Sequence, residues 1–354
     1  MFILYLEWLI SKMAIHLNPK YVAFISTIIM ILSVISTVYV HTHYEGQIAN
    51  MRSMVIDLQK EITNLQIELY KYRNLTLVDD HGYVLNLTSY PKRIVSLAPS
   101  NTEILFSVGA GDEVVGVTAQ CNYPHNFSAW IEAGNLTSVG GYWAPNIEAI
   151  VALKPDLILA AFAQEDVVNT LRGLEYKVLA LDPGNIDDIL KDILLVGRVT
   201  DRDIDAATLV NNLRRRMDAV VNKVSGVASR PKVYYEVWYD PIWSVGSEGW
   251  EHELIAKVGG INIFADQKIK YFEASSEAII ERNPDIMIFP LGRGVGPPFW
   301  GSFDKVTERP GWDAINSVRN SKLYTIDEDV ISRPGPRIVD ALEALAKMIH
   351  PELF

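Results

Sequence analysis

Apolar and polar positions along this chain fall into three successive patterns. Residues 21–40, YVAFISTIIMILSVISTVYV, carry no charge over 20 positions. At 1.5 Å per residue such a run reaches about 30 Å, the depth of a bilayer core, and so predicts a membrane-spanning helix. From 45 to 73 the pattern becomes a heptad: Ile48, Met51, Val55, Leu58, Ile62, Leu65, Leu69 and Tyr72 alternate spacings of three and four. β-branched residues at one seam position (Ile48, Val55, Ile62), with Leu58 and Leu65 at the other, predict a parallel two-stranded coiled coil and hence a homodimer through residues 48–72. A single amphipathic stalk helix is the alternative. Beyond residue 90 short apolar runs alternate with helical segments. RIVSLA (93–98), VVGVT (114–118), LILAA (157–161) and KVLAL (177–181) read as buried strands, and the βαβα order predicts a parallel sheet.

One phrase occurs twice, as NIEAIVALKPDLILAA (146–161) and SSEAIIERNPDIMIFP (275–290). In each copy a glutamate, Glu148 or Glu277, stands seven residues before a Pro-Asp pair, and an apolar run follows the aspartate. Each copy predicts a short helix stopped by proline, then a central strand, with Lys154 and Asn283 ending the helices in extended geometry. The repeat implies two similar α/β lobes, and a cleft between lobes is a usual place for a ligand. Between the copies, residues 201–225 form a long amphipathic helical segment without Gly or Pro, which reads as a rigid link. The expected organisation is a cytoplasmic or interfacial segment at 1–20, an anchor at 21–40 and a stalk at 45–73. An N-terminal lobe at 90–200, a linking helix at 201–226 and a C-terminal lobe at 231–354 follow. Residues 83–91 read as a hairpin or linker, and 239–250 and 292–301 as loops.

Charge and composition narrow the function. A formal net charge of −11 with no basic stripe argues against a nucleic-acid partner. The single cysteine, Cys121, excludes a disulfide framework. No nucleophile elbow, Walker motif, HExxH or dinucleotide fingerprint is present, so an enzyme is not expected. His125 and His252, one per lobe, leave a metal-ion receptor as a weak alternative, because zinc sites need three or four ligands. Lys12 and Lys20 precede the span and His41, His43 and Glu45 follow it, which places the N-terminus in the cytoplasm and the lobes outside. The run exceeds a signal-peptide core and no A-x-A site follows, so the anchor is expected to stay uncleaved. Sequons at Asn74, Asn86, Asn126 and Asn135 agree weakly with an outside location.

The order RIVSLAPSNTEILFSVGAGDEVVGVTAQCNYP, NIEAIVALKPDLIL, a long helix, GGINIF, SSEAIIERNPDIMIF and SRPGPRIVDAL resembles the solute-binding proteins of ABC importers for cobalamin, iron-siderophores or haem. The cobalamin-binding branch is the closest match. The resemblance covers about residues 90–354. It implies two Rossmann-like lobes joined by one long backbone helix, no cofactor of the protein's own, and an ABC permease as partner. It further implies that Glu148 and Glu277 dock onto permease arginines; the alternative is that each merely supports its helix end, with Asn146 or Ser275 as cap. Cobalamin or a related corrinoid, or else haem or a ferric siderophore, would lie against Ser100, Tyr123, Tyr142, Phe162, Trp243 and Tyr271, with Asp329 and Arg333 in the last loop. Trp143 and Trp238 are neighbours able to substitute.

Overall fold

The structure is a computed structural model that describes residues 19–71, 75–292 and 305–354, in two bodies that divide after Arg73. The expectations for residues 1–18, for Tyr72 and Asn74, and for most of the Gly/Pro loop at 292–301 lie outside the described residues.

The first body is one helix, Pro19–Lys71, of 53 residues. It contains a segment long and apolar enough to cross a membrane. Thr37 and Thr42 return their hydroxyls to the carbonyls of Ser33 and Val38 at 2.8 and 2.9 Å, which satisfies these polar groups inside the helix itself. The heptad side chains Ile48, Met51, Val55, Leu58 and Ile62 are exposed.

The second body opens with an antiparallel hairpin, β1 (Leu75–Val78) and β2 (Val84–Leu87). Its inward leucines, 75, 77, 85 and 87, join the main core. Asp79 is the pin: its carboxylate accepts the Tyr83 amide at 2.8 Å and the Ala180 amide at 3.1 Å, and pairs with Arg172. The segment before residue 90 is therefore packed structure and no mere linker.

Five strands form the first sheet: β3 (Ile94–Ser96), β4 (Val114–Val117), β5 (Thr137–Ser138), β6 (Leu157–Ala161) and β7 (Val178–Leu181). Their order is β5-β4-β3-β6-β7 and every pairing is parallel. β6 and β7 are buried at every residue, as a sheet covered on both faces requires. The second sheet holds β8 (Lys232–Trp238), β9 (Trp243–Val245), β10 (Ile261–Asn262), β11 (Tyr271–Glu273), β12 (Ile286–Leu291) and β13 (Leu323–Asp327). Its order is β11-β9-β8-β12-β13, with β10 also on β8. β9 and β11 run antiparallel, an addition that has no counterpart in the first sheet. Part of the segment read as a loop after Trp238 is thus strand.

The repeated phrase has the predicted form and a further function in the fold. Helix Ile147–Ala152 leads into β6 and helix Ser276–Arg282 into β12. Lys154 and Asn283 end them in the left-handed region, both at φ 48°, rather than in extended geometry. A left-handed residue closes a helix with its last carbonyls satisfied, and it too avoids the right-handed region that a following proline disfavours. The two aspartates then act alike across each sheet. Asp156 accepts the amides of Lys92 and Arg93 at 2.8 and 2.9 Å, at the start of β3. Asp285 accepts the Lys232 amide at 2.9 Å, at the start of β8. Each Pro-Asp pair clamps the entry to a neighbouring strand, just before β3 in the first sheet and at the first residue of β8 in the second.

Between the sheets in sequence runs helix Asp203–Val224, of 22 residues. Arg216 on it grips Glu343 of the terminal helix Ile338–Ile349 with two hydrogen bonds of 2.9 Å, and also pairs with Asp340. Arg202, just before it, donates to Gly109 O at 3.0 Å. The helix is thus fastened to residues of both sheet-bearing halves.

Candidate functional site

Helices that precede parallel strands run against them, so loops and helix N-termini gather at the carboxyl ends of the strands, where ligands of such sheets bind. A cleft of 590 Å³ opens there. Trp143 and Phe162 line it from the first half; Val237, Trp238, Trp243, Ile269, Lys270 and Tyr271 line it from the second. Phe162 follows β6 directly, and Trp143 sits in the turn leading to helix Ile147–Ala152. Trp238 and Trp243 flank the turn between β8 and β9, which is why the unforeseen strand β9 belongs to the site. Trp143 is 62 % exposed and Phe162 41 %, so both rings are largely open to solvent.

Tyr142 stands behind this wall instead of lining it. Its ring meets Trp143 edge-on at 4.8 Å, and its hydroxyl donates to Phe162 O at 2.7 Å. Its amide donates to Gln120 Oε1 at 2.9 Å, and its carbonyl accepts from Gln164 Nε2 at 2.8 Å. Burial, with the negative charges of Asp182 and Glu165, pushes the hydroxyl above the usual tyrosine range. Tyr142 and the buried Gln164, which the sequence reading missed, hold Trp143 and Phe162 in place. On the opposite wall Tyr271 donates to Glu251 Oε1 at 3.0 Å. Burial pushes the Glu251 carboxyl up to about 7, against the lowering effect of its own amide, Tyr271 and Lys270.

Lys270 was also missed. Its ammonium lies 5.0 Å from the Phe162 ring and 4.7 Å from the Trp250 ring, donates to Pro183 O at 3.3 Å and pairs with Asp182 at 3.6 Å. Among the described residues it is the one charged side chain in the cleft lining.

The remaining expected contacts lie together elsewhere on the seam. Arg333, buried, donates to Glu103 Oε1 at 3.0 Å and Asn122 Oδ1 at 2.8 Å, and pairs with Asp329. Arg337 donates to both Glu103 oxygens, at 2.8 and 2.7 Å, and its guanidinium lies 4.3 Å from the Tyr123 ring. Asn122 donates to Asp329 at 2.7 Å, and Ser100 O is 3.6 Å from where a Cβ on Gly335 would sit. Asp329 and Arg333 are thus saturated by protein partners, outside the cleft lining. Their charges neutralise one another across the seam, with Glu103 at the centre and only 1 % exposed. A carboxylate among the buried residues of an apolar helix was the available signal for Glu103.

Glu148 and Glu277 are exposed at equivalent places, the second residue of their helices. The caps are made by Asn146, accepting from Ala149 N at 3.0 Å, and Ser275, accepting from Ala278 N at 3.1 Å. Neither glutamate forms an ion pair or hydrogen bond among the described residues. Both carboxylates therefore stand at the carboxyl edges of their sheets, a few residues after the cleft aromatics Trp143 and Tyr271. The weak metal reading fares differently. His125 stacks on Trp130 at 4.7 Å, His252 sits beside Asn262 with burial lowering its pKa, and no three metal-ligating side chains converge among the described residues.

The sequence model for periplasmic binding proteins matches residues 94–330. An uncharacterized ABC transporter substrate-binding lipoprotein of Bacillus subtilis, YvrC, is 30 % identical over 288 residues, covering 79 % of this chain and 87 % of the relative. The vitamin B12-binding protein of Vibrio parahaemolyticus is 26 % identical over 253 residues, 71 % of this chain and 86 % of its own. Among solved structures, a possible iron-binding periplasmic solute-binding protein of Staphylococcus epidermidis superposes with a TM-score of 0.63 at 31 % identity, over 74 % of this chain and 100 % of that one. With its paired α/β sheets and the cleft between them, the chain belongs to the periplasmic binding protein family of ABC-transporter solute receptors, whose members bind solutes and are not enzymes.

Proposed function

We propose that this receptor takes cobalamin or a related corrinoid in the aromatic cleft and presents it to an ABC permease. The observation that carries the reading is the cleft itself: tryptophans and phenylalanine from two halves, facing each other with one cation among them. A corrin ring offers two broad, partly apolar faces, and rigid aromatic walls bury such faces at little entropic cost. The relative from Vibrio parahaemolyticus named for vitamin B12 supports this choice. Haem, a flat macrocycle like corrin, and ferric siderophores, bulky octahedral chelates, are the competing ligands; the relation to a possible iron-binding protein favours keeping them in the test.

In this reading residues 90–200 and 231–354 are the lobes, with helix Asp203–Val224 as the strut between them. Tied to the first half by Arg202 and to the terminal helix by Arg216, the strut limits closure to a few degrees. Glu148 and Glu277, one per lobe and unpaired, dock on arginines of the permease. Residues 21–40 cross the membrane once with the lobes outside, and the tether raises the receptor's effective concentration at its permease. If the heptad face pairs with a second copy, two receptors share one tether. Tyr123, Asp329, Arg333 and Ser100 then serve the ligand indirectly, by fixing the lobes.

The experiment is a titration of the full chain in detergent with cyanocobalamin, haemin and a ferric hydroxamate, followed by tryptophan fluorescence. The expected result is saturable quenching by cyanocobalamin at one ligand per chain, because Trp143, Trp238 and Trp243 line the cleft. Quenching by haemin alone moves the assignment to haem; quenching by none of the three rejects the reading.

A further inference from the structure

Beside the aromatic cleft lies a second cavity of 450 Å³ with a different character, bounded by Gly184 and Asn185 of the first half and Ser247, Glu248 and Gly249 of the second. Lys270 stands between the two. Its carbonyl accepts the Gly246 amide at 3.0 Å and lies 3.3 Å from where a Cβ on Gly249 would sit, so its main chain backs the polar chamber. Its ammonium crosses the seam to Pro183 and Asp182, just before Gly184, while its side chain lines the aromatic cleft. The same residue thus borders both spaces, by its side chain on the aromatic side and by its main chain on the polar side. The ion pair that holds it is 3.6 Å long with both partners partly exposed, which is the weak kind.

The chamber is rich in acceptors. Glu253 accepts the Ile186 amide at 2.9 Å and pairs with Lys257 at 3.2 Å. Asn185 exchanges two hydrogen bonds with Asp188. The Glu248 side chain, exposed, forms no hydrogen bond or ion pair among the described residues. Next to it Glu251, 1 % exposed, gives Oε1 to the cleft's Tyr271. Its Oε2 is buried with no partner in another described residue, 3.1 Å from the Cβ position of Gly249. His252 is held toward its neutral form by burial. Both cations near the chamber, Lys257 and Lys270, are already paired. Such a lining repels an anion and receives a donor.

We propose that the chamber is a second compartment of the ligand site, opened when Lys270 leaves Asp182. It takes a hydrogen-bond-donating arm, an amide above all, from a ligand whose flat body lies between the aromatic walls. Glu248 is the acceptor that meets this arm. The proposal rests on the reading of the cleft as the corrinoid site, and the test separates the two.

Dicyanocobinamide and dicyanocobyrinic acid heptamethyl ester share a corrin ring, but the ester has lost every amide N–H. Both are titrated against the full chain and against Glu248→Ala, whose folding is checked by its melting curve. The expected result is that the wild-type chain prefers cobinamide about tenfold, and that Glu248→Ala removes this preference by weakening cobinamide alone. Equal loss for both ligands, or no change for either, overturns the second compartment while leaving the cleft assignment intact. Failure of both ligands to bind the wild-type chain overturns the cleft assignment and the proposal together.

Discussion

Uptake falls roughly a hundredfold or more when Glu148 and Glu277 are both replaced by alanine, while ligand affinity stays within about twofold. The two carboxylates are exposed, their helices are capped by Asn146 and Ser275, and neither lines the cleft. Their removal therefore touches neither folding nor the ligand. An interfacial carboxylate facing an arginine is different: truncating it leaves the partner's charge unpaired, at about 2–5 kcal/mol each. Transport into vesicles holding the cognate permease, alongside a ligand titration, checks the result. Each single variant is expected to fall between the double variant and the wild type, because one anchored lobe still orients the receptor in part. Equal loss of affinity and uptake would make these residues structural.

Glu103→Ala costs about 3–5 kcal/mol of stability, the usual loss when one member of a buried ion-pair cluster is removed. Glu103 is 1 % exposed and accepts from Arg333 and Arg337 together, so the variant strands two guanidinium groups at the seam. Asp329 and Asn122 retain Arg333 in part, which keeps the loss finite. Urea denaturation followed by tryptophan fluorescence measures it. A loss below about 1 kcal/mol would show that the cluster is solvated like an ordinary surface pair. Ligand affinity should weaken as well, since the seam sets the spacing of the aromatic walls.

The sequence carried the layout well where a local pattern governs it. The doubled phrase predicted two helix–strand units, and β6 and β12 begin at the expected residues, Leu157 and Ile286. The charge-free run and the heptad as far as Leu69 fall within one helix, as their shared period allows. Local patterns were silent about partners. Nothing near Asp156 or Asp285 says that each will cap a strand far away in the chain, although their repetition was a hint. β9 and β11 are three residues each, too short for alternation to be recognised. The cleft aromatics Trp143, Phe162, Trp243 and Tyr271 were legible through family resemblance, and the structure brings them to one cavity. Lys270 was not, because a lone lysine beside Tyr271 looks like any surface lysine until Asp182 and Phe162 are brought to it by the fold. Asp329 and Arg333 show the converse limit: both read as last-loop residues, whereas Asp329 lies in the short helix Glu328–Ile331, and the sequence could not reveal that Glu103 and Asn122 occupy them.

The central claim is that one ligand is gripped by both halves at once, and the affinities of Trp143→Ala and Trp243→Ala test it most directly. Trp143 belongs to the first half and Trp243 to the second, and both line the 590 Å³ cleft. Measured by isothermal titration with the ligand that quenches the wild-type chain, each variant should bind about tenfold or more weakly, because each removes one aromatic wall. A variant from either half that binds as tightly as the wild-type chain would contradict the account, since the ligand would then rest on one lobe alone.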